Sequence, residues 1–88
     1  KVSVTLSNVS HVWPADLDVL LVSPSGQKVL LLSDVGGGNA VSGVNLTFSD
    51  SAPSGLAEFA PIGPGTYKPS SFDAGSDNFP APAPAAPY

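Results

Sequence analysis

The chain has 88 residues, no cysteine and a formal net charge of -4, and only 11% of its residues are charged. A chain of this length forms one domain at most, and without disulfides it has only a small hydrophobic core for stability. With three Lys, no Arg and no apolar run of the ~18 residues that span a bilayer, we expect neither nucleic-acid binding nor a membrane span.

The composition favours an all-β fold. Nine Gly and ten Pro interrupt the chain, whereas residues that favour helices are scarce. Short strands joined by many turns are therefore predicted.

The first strand is predicted from strict alternation. Val2, Val4 and Leu6 are separated by polar residues, which is the pattern of a strand with one buried face. We expect His11 to end this strand, with its ring hydrogen-bonded to the backbone or to Asp16.

A hairpin is predicted next. Because Pro14 cannot donate a hydrogen bond to a sheet, Trp13 to Ala15 is expected to bend the chain. Leu17 to Val22 is apolar on both faces except at Asp18, which predicts a central strand covered on both sides. Ser23-Pro24-Ser25-Gly26 is typical of a turn, and Val29 to Leu32 then returns antiparallel.

Further strands are predicted after a glycine-rich loop from Asp34 to Gly43. Apolar and polar residues alternate from Val44 to Phe48, which indicates another half-buried strand. Leu56 to Ile62 is predicted as a short strand or a single helical turn, and Thr66-Tyr67 as a last short strand.

The end of the chain differs in composition. Residues 1–68 are predicted to form the β-sandwich core, and residues 69–88 a Pro/Ala-rich strap or linker within the same domain. Its alternating Pro and Ala residues favour an extended polyproline II conformation. Either the segment is a flexible linker, or Phe72, Phe79 and Tyr88 anchor it across the sandwich.

No catalytic constellation is present, so we expect no enzymatic activity. His11 is the only histidine, and no GxSxG motif places a serine as a nucleophile. Asp16 and Asp18 could flank a glycosidic bond, but nothing near them indicates a sugar-sized cleft.

Calcium is the metal that the sequence favours. Asp34 and Asp50 lie in loops at strand ends, and Asp16 is a third candidate. Calcium binds several carboxylate and carbonyl oxygens, and a bound ion would stabilise a small core. The alternative is that these Asp residues accept hydrogen bonds from backbone N–H groups in turns.

Two aromatic residues are candidates for surface contacts. Trp13 could stack on a sugar, or it could cover the core at the end of a strand. Together with Tyr67 it defines the hypothesis of a carbohydrate-binding module.

Four segments, taken in order, carry a resemblance to a known family. They are Val2 to Leu6 before His11, Asp16-Leu17-Asp18 running into Ser23-Pro24-Ser25-Gly26, Leu30 to Gly38, and Val44 to Ala52. Together they resemble the P domain (Homo B domain) of subtilisin-like proprotein convertases, in its bacterial form. Gly65 to Pro69 followed by Phe79 to Ala83 fits the same pattern, and the ordered set is more specific than any single piece.

The resemblance implies a jelly-roll-like antiparallel β-sandwich that is non-catalytic and lies outside the cell, secreted or at a bacterial cell surface. Such domains pack on an adjacent protein domain, a protease in the convertases, and stabilise it. They also continue with strands rich in Asn-Gly-Thr-Trp and Gly-Trp, which this chain lacks. It is therefore expected to be an incomplete sandwich, either a fragment or a structural subunit of a surface assembly completed by a neighbouring chain.

Overall fold

The part of the chain that the structure describes folds into six short strands and one 3-10 helix. The computed structural model describes residues 2–72, 78–86 and 88. Within them no helix is long and apolar enough to cross a membrane. The strands are β1 (Val4–His11), β2 (Asp18–Val22), β3 (Lys28–Ser33), β4 (Val41–Phe48), β5 (Gly65–Tyr67) and β6 (Ser70–Ser71), and the 3-10 helix is Pro14–Asp16.

The described strands form two three-stranded sheets, in the orders β1-β4-β5 and β2-β3-β6. The mostly β fold is confirmed, and β1 with β4 and β2 with β3 pair antiparallel as predicted. The other two pairs, β4 with β5 and β3 with β6, are parallel, which corrects the expectation of a purely antiparallel sandwich. A parallel pair needs a crossover connection of about a dozen residues or more, and residues 49–64 supply one.

One short segment, residues 65–71, belongs to both sheets. It pairs with β4 through β5 and then with β3 through β6. The Ser49 N–H donates to the Tyr67 carbonyl at 2.9 Å, and the Phe72 N–H donates to the Ser33 carbonyl at 3.1 Å. The segment therefore closes one side of the sandwich, whereas β1 and β2 are the outer strands of their sheets on the other side. The short strand predicted at Thr66-Tyr67 is β5, whereas the two-residue β6 was not predicted.

The central strand of its sheet is β3, not β2 as predicted. Residues Leu30 to Ser33 of β3 are all buried, with exposures of 0–4%. In β2, Val19 to Leu21 are only half-buried and both terminal residues are exposed. An apolar run indicates what surrounds the two faces of a strand, but it does not indicate whether both edges are paired.

The pairing of β1 with β4 contains two register shifts, which interrupt the strict alternation of inward and outward side chains. The pairing of β1 with β4 shifts between Leu6 and Val9, and again between Val9 and His11. Asn8 lies in the first shift with φ of 57°, a conformation that Asn tolerates better than most residues, and its N–H donates to the Asn45 side chain at 2.8 Å.

The core lies between the two sheets. Among its buried members, Leu56 and Ile62 come from the stretch predicted as a strand or helical turn. That prediction was wrong, because the stretch is irregular and follows a single isolated bridge at Gly55. The predicted loop was also too long, since β4 begins at Val41. The buried cluster contains Leu31, Leu32, Val35, Val41, Leu46, Phe48, Leu56 and Ile62.

The last residues fold back on themselves. The rings of Phe79 and Tyr88 are perpendicular at 5.3 Å, and the Tyr88 hydroxyl donates to the Pro84 carbonyl at 2.9 Å. The Lys28 ammonium at the start of β3 lies 5.3 Å from the Tyr88 ring centre and donates to the Ala85 carbonyl. Residues 73–77 and 87 of the predicted strap or linker lie outside the described residues.

Two glycines test how tightly the core is packed. Gly36 and Gly26 have φ of +81° and +91°, so alanine at either position costs about 1–2 kcal/mol in backbone strain. A Cβ at position 36 would lie 2.8 Å from Cδ1 of the core residue Ile62, whereas one at 26 would meet nothing within 4 Å. Gly36→Ala should therefore lower the free energy of unfolding by about 1–3 kcal/mol more than Gly26→Ala in denaturant titrations. Equal losses of unfolding free energy in the two variants would contradict the close packing of Ile62 against Gly36.

Candidate functional site

The candidate residues lie at two opposite ends of the sandwich. In the antiparallel pair of β1 and β4, His11 lies opposite Val41 and Val4 lies opposite Phe48. The eight residues of β4 separate the two ends by about 23 Å, at ~3.3 Å per residue. We call residues 12–16, 34–39 and 57–59 the loop end, and residues 23–27 and 48–50 the turn end.

Two carboxylates meet at the loop end. Asp18 begins β2 opposite Ser33, the last residue of β3, and Asp34 follows with φ of 56°. The fully buried Ser33 hydroxyl lies 3.0 Å from Asp18 Oδ1 and 2.9 Å from Asp34 Oδ2. A hydroxyl has one proton to donate, so the two carboxylates share this donor and lie close together. Their oxygens are of the kind that hard cations bind.

Asp16, the third metal candidate, lies exposed at the end of the 3-10 helix, also at the loop end. Within residues 2–72, 78–86 and 88, no group of three or more His, Cys, Asp or Glu side chains is arranged to hold a metal ion. Calcium would therefore need carbonyl or water oxygens beside the carboxylates of Asp18 and Asp34. Calcium binding stays a prediction.

Asp50 lies at the turn end, away from Asp16 and Asp34. It follows β4, and its backbone carbonyl accepts a hydrogen bond from the Lys68 ammonium at 2.6 Å. Because Asp34 follows β3 at the loop end, the structure does not bring the two leading calcium candidates together. Sequence reasoning placed both residues correctly after strands, but the direction of each strand decides the end at which they lie.

Trp13 is held at the loop end with half of its surface exposed. The backbone N–H of Trp13 donates to His11 Nδ1 at 3.0 Å. The His11 ring is therefore hydrogen-bonded to the backbone, as predicted for His11. The indole lies on Gly38, where a Cβ would come within 2.8 Å of Trp13 Cη2. The absence of a side chain at position 38 thus makes room for the ring, which is 54% exposed.

Tyr67 lies at the turn end and does not form a common surface with Trp13. It is half-buried in β5 opposite Phe48, and its hydroxyl donates to the Gly63 carbonyl at 2.8 Å. A carbohydrate site that uses the two predicted aromatic residues together is therefore not assembled in this fold.

Sequence reasoning missed Phe59, which shares the loop end with Trp13. The side chain of Phe59 is 74% exposed, and its carbonyl accepts a hydrogen bond from Asn39 Nδ2 at 2.7 Å. Its backbone also lies against Gly37, the neighbour of the glycine beneath the indole. Phe59 belongs to a Pro-containing stretch without alternation, which is a signal that could have marked it as exposed.

Sequence reasoning also missed an apolar groove at the turn end. It has a volume of about 530 Å³ and lies between the two sheets. Exposed valines occur along it, with Val2 71%, Val22 41% and Val29 37% exposed. Its lining is contributed by Val2, Val4, Leu21, Val22, Ser23, Pro24, Gln27, Lys28, Val29, Leu31, Phe48, Ser49, Asp50 and Pro69.

Comparison with protein families identifies one match. Residues 1–56 match the family model described as proprotein convertase P-domain. This range contains β1 to β4, both carboxylates at the loop end and most of the groove lining. Comparisons with curated proteins and with solved structures found no match.

The placement of the acidic residues makes the calcium hypothesis testable. Calcium bound at the loop end should raise the melting temperature when CaCl₂ is added, by roughly 4–8 °C for each kcal/mol of binding stabilisation. Asp34→Asn should abolish this rise, because it removes one of the two paired carboxylates. Asp50→Asn removes the same charge at the turn end and should leave the rise unchanged. A melting temperature that responds to neither CaCl₂ nor EDTA would end the hypothesis.

Proposed function

Because this chain belongs to the proprotein convertase P-domain family, we propose that it is a non-catalytic accessory domain that packs on a neighbouring protein domain and stabilises it. Proprotein convertase P domains are found in proteases of the secretory pathway, and an extracellular bacterial setting is part of the proposal. The low content of charged residues is compatible with a rigid module whose surface is partly covered in the parent protein.

The observation that best supports the proposal is the apolar groove at the turn end. Val2 is 71% exposed there and Val22 41%, although Leu31 and Phe48, which also line the groove, are buried. Covering such surface stabilises the covered state by roughly 25 cal/mol for each Å² of apolar area. A neighbouring domain that covers the groove would extend the core of this domain into the interface.

The outer strands indicate how the sandwich could be completed. Among the described strands, β1 pairs only with β4 and β2 only with β3, so the other edge of each faces no described strand. Strands added to these edges would extend both sheets towards the jelly roll that the family resemblance implies. We include this completed jelly roll in the proposal.

The same free edges favour a second candidate function, that of a structural subunit in a surface assembly. In that case the added strand comes from a neighbouring copy or chain, as in donor-strand complementation. The two functions differ in a measurable property. A subunit completed by its own kind associates at high concentration, whereas an accessory domain acts on the domain next to it.

Two valines that flank β1 provide a matched test. Val2 precedes the strand at the groove and is 71% exposed, and Val12 follows it at the loop end and is 80% exposed. In a protein containing this chain and the domain encoded beside it, Val2→Asp should lower the melting temperature of that domain. A carboxylate buried without a partner at the interface costs on the order of 2 kcal/mol or more.

Val12→Asp is the control and should leave the neighbouring domain unchanged. In the isolated chain both substitutions should alter the free energy of unfolding by no more than about 0.5 kcal/mol, since both side chains are exposed. Equal effects of the two variants on the neighbouring domain would refute packing through the groove. Light scattering over a range of concentrations tests the second candidate, which predicts oligomers that grow with concentration.

A further inference from the structure

The loop end carries a second exposed surface, remote from the groove. Val12, Trp13 and Phe59 are 80%, 54% and 74% exposed there, and we call these three residues the aromatic patch. Trp13 and Phe59 lie beside the tight turn of Gly36 to Asn39, where the Asn39 N–H donates to the Gly36 carbonyl at 3.2 Å, and Val12 precedes Trp13 in the chain. Large aromatic side chains are enriched at protein interfaces, and at this end two of them lie exposed beside one turn.

The aromatic patch is held in place by several contacts. The indole rests on Gly38, and the backbone N–H of Trp13 donates a hydrogen bond to the His11 ring. On the other side, the Gly36 N–H donates to the Ala57 carbonyl at 3.1 Å, and Asn39 Nδ2 donates to the Phe59 carbonyl at 2.7 Å. Since these backbone segments are already fixed, a partner binding there would meet a prepared surface and lose little conformational freedom.

The charges around the aromatic patch have one sign. Asp16 lies in the 3-10 helix, whose Ala15 N–H donates to the Gly37 carbonyl at 3.2 Å. Asp34 precedes the glycine turn, and Glu58 is adjacent to Phe59 in the chain. The described lysines lie elsewhere, Lys28 and Lys68 both at the turn end of the sandwich. Within the described residues, the loop end is therefore acidic and has no lysine, and the chain contains no arginine.

We propose that the aromatic patch binds a positively charged protein segment in which Arg or Lys alternates with apolar residues. A guanidinium or ammonium group stacks favourably on an indole face, and the surrounding carboxylates can accept its hydrogen bonds. Apolar side chains of the same segment then cover Val12 and Phe59. The one-sided charge favours this partner over a neutral glycan and disfavours nucleic acid or an anionic membrane surface.

This surface is independent of the groove and goes beyond packing on a neighbouring domain. The two ends are separated by the length of β4, so one compact segment cannot cover both. An accessory domain with these two surfaces would hold its neighbouring domain at the turn end and recruit a cationic segment at the loop end.

The only tryptophan of the chain, Trp13, lies in the aromatic patch and reports binding directly. The probe is a synthetic peptide that alternates Arg and Leu, and the full chain is titrated with it at low salt. The Trp13 emission should change and saturate, and affinity should fall as salt is added, because the attraction is partly electrostatic. Peptides in which Arg is replaced by Gln or Glu are the matched controls and should produce no saturable change.

Two variants of equal charge test the location. Glu58→Gln removes one negative charge beside the aromatic patch and should weaken peptide binding several-fold. A third variant, Phe59→Ser, removes an aromatic ring of the patch and should weaken binding roughly tenfold, equivalent to about 1.4 kcal/mol. Asp50→Asn removes one negative charge at the turn end and should leave the affinity unchanged. All three residues are exposed or half-buried, and thermal melting checks that each variant is folded.

Three results would overturn the proposal. The Gln peptide could bind as tightly as the Arg peptide, which would show that positive charge is not recognised. Asp50→Asn could weaken binding as much as Glu58→Gln, which would indicate attraction to the net charge of the domain alone. A neutral oligosaccharide could change the Trp13 emission where the Arg peptide does not, which would assign the surface to a glycan. None of these outcomes depends on Val2 or the groove, so the proposal can fail while the accessory function stands.

Discussion

The packing of β3 against β4 is the contact on which the rest of this domain depends. Leu32 from one sheet and Leu46 and Phe48 from the other are at most 2% exposed and belong to one cluster. The chain has no cysteine, so this apolar contact has to supply the cohesion that disulfides give to many small extracellular domains. Those buried members of the cluster that lie in strands all come from β3 and β4, the central strands of the two sheets. The outer strands β1 and β2 contribute half-buried residues instead, and these connect the core with the surface.

This limited core explains why the two sides of the sandwich differ. On one side, residues 65–71 pair first with β4 and then with β3, so a single segment closes the gap between the sheets. On the other side, no described strand pairs with the outer edges of β1 and β2. The surface that the core cannot cover therefore collects along these strands and opens as the groove at the turn end. In the accessory role that we propose, a partner that covers this groove would add apolar burial that the small core cannot supply by itself.

Features encoded by neighbouring residues were predictable from the sequence, and those set by distant contacts were not. Alternation identified β1 and β4, and the turn residues Ser23 to Gly26 identified the hairpin, because each signal is contained in a few residues. The edge position of β2, the parallel pairs and the irregularity at Asn8 depend on which strands meet, and no local pattern records that. For the site, sequence reasoning found Trp13 and Asp34 but joined them to Tyr67 and Asp50, which lie at the other end of the strands.

The two ends of the sandwich differ in character because different kinds of connection form them. The turn end is formed by a hairpin and a crossover, and there the apolar residues of two sheets approach the surface with lysines beside them. The loop end is formed by connections that pass between the sheets. In these connections glycines allow close contacts, and aspartates such as Asp34, with its positive φ, accommodate the turns. Carboxylates gather there because the turns favour them, and the large rings of Trp13 and Phe59 remain exposed because the small core has no space for them. The same small core and tight turns thus leave acidic and aromatic groups exposed together at the loop end. Because the fold already holds these groups in place, the surface is suited to the positively charged partner that we propose.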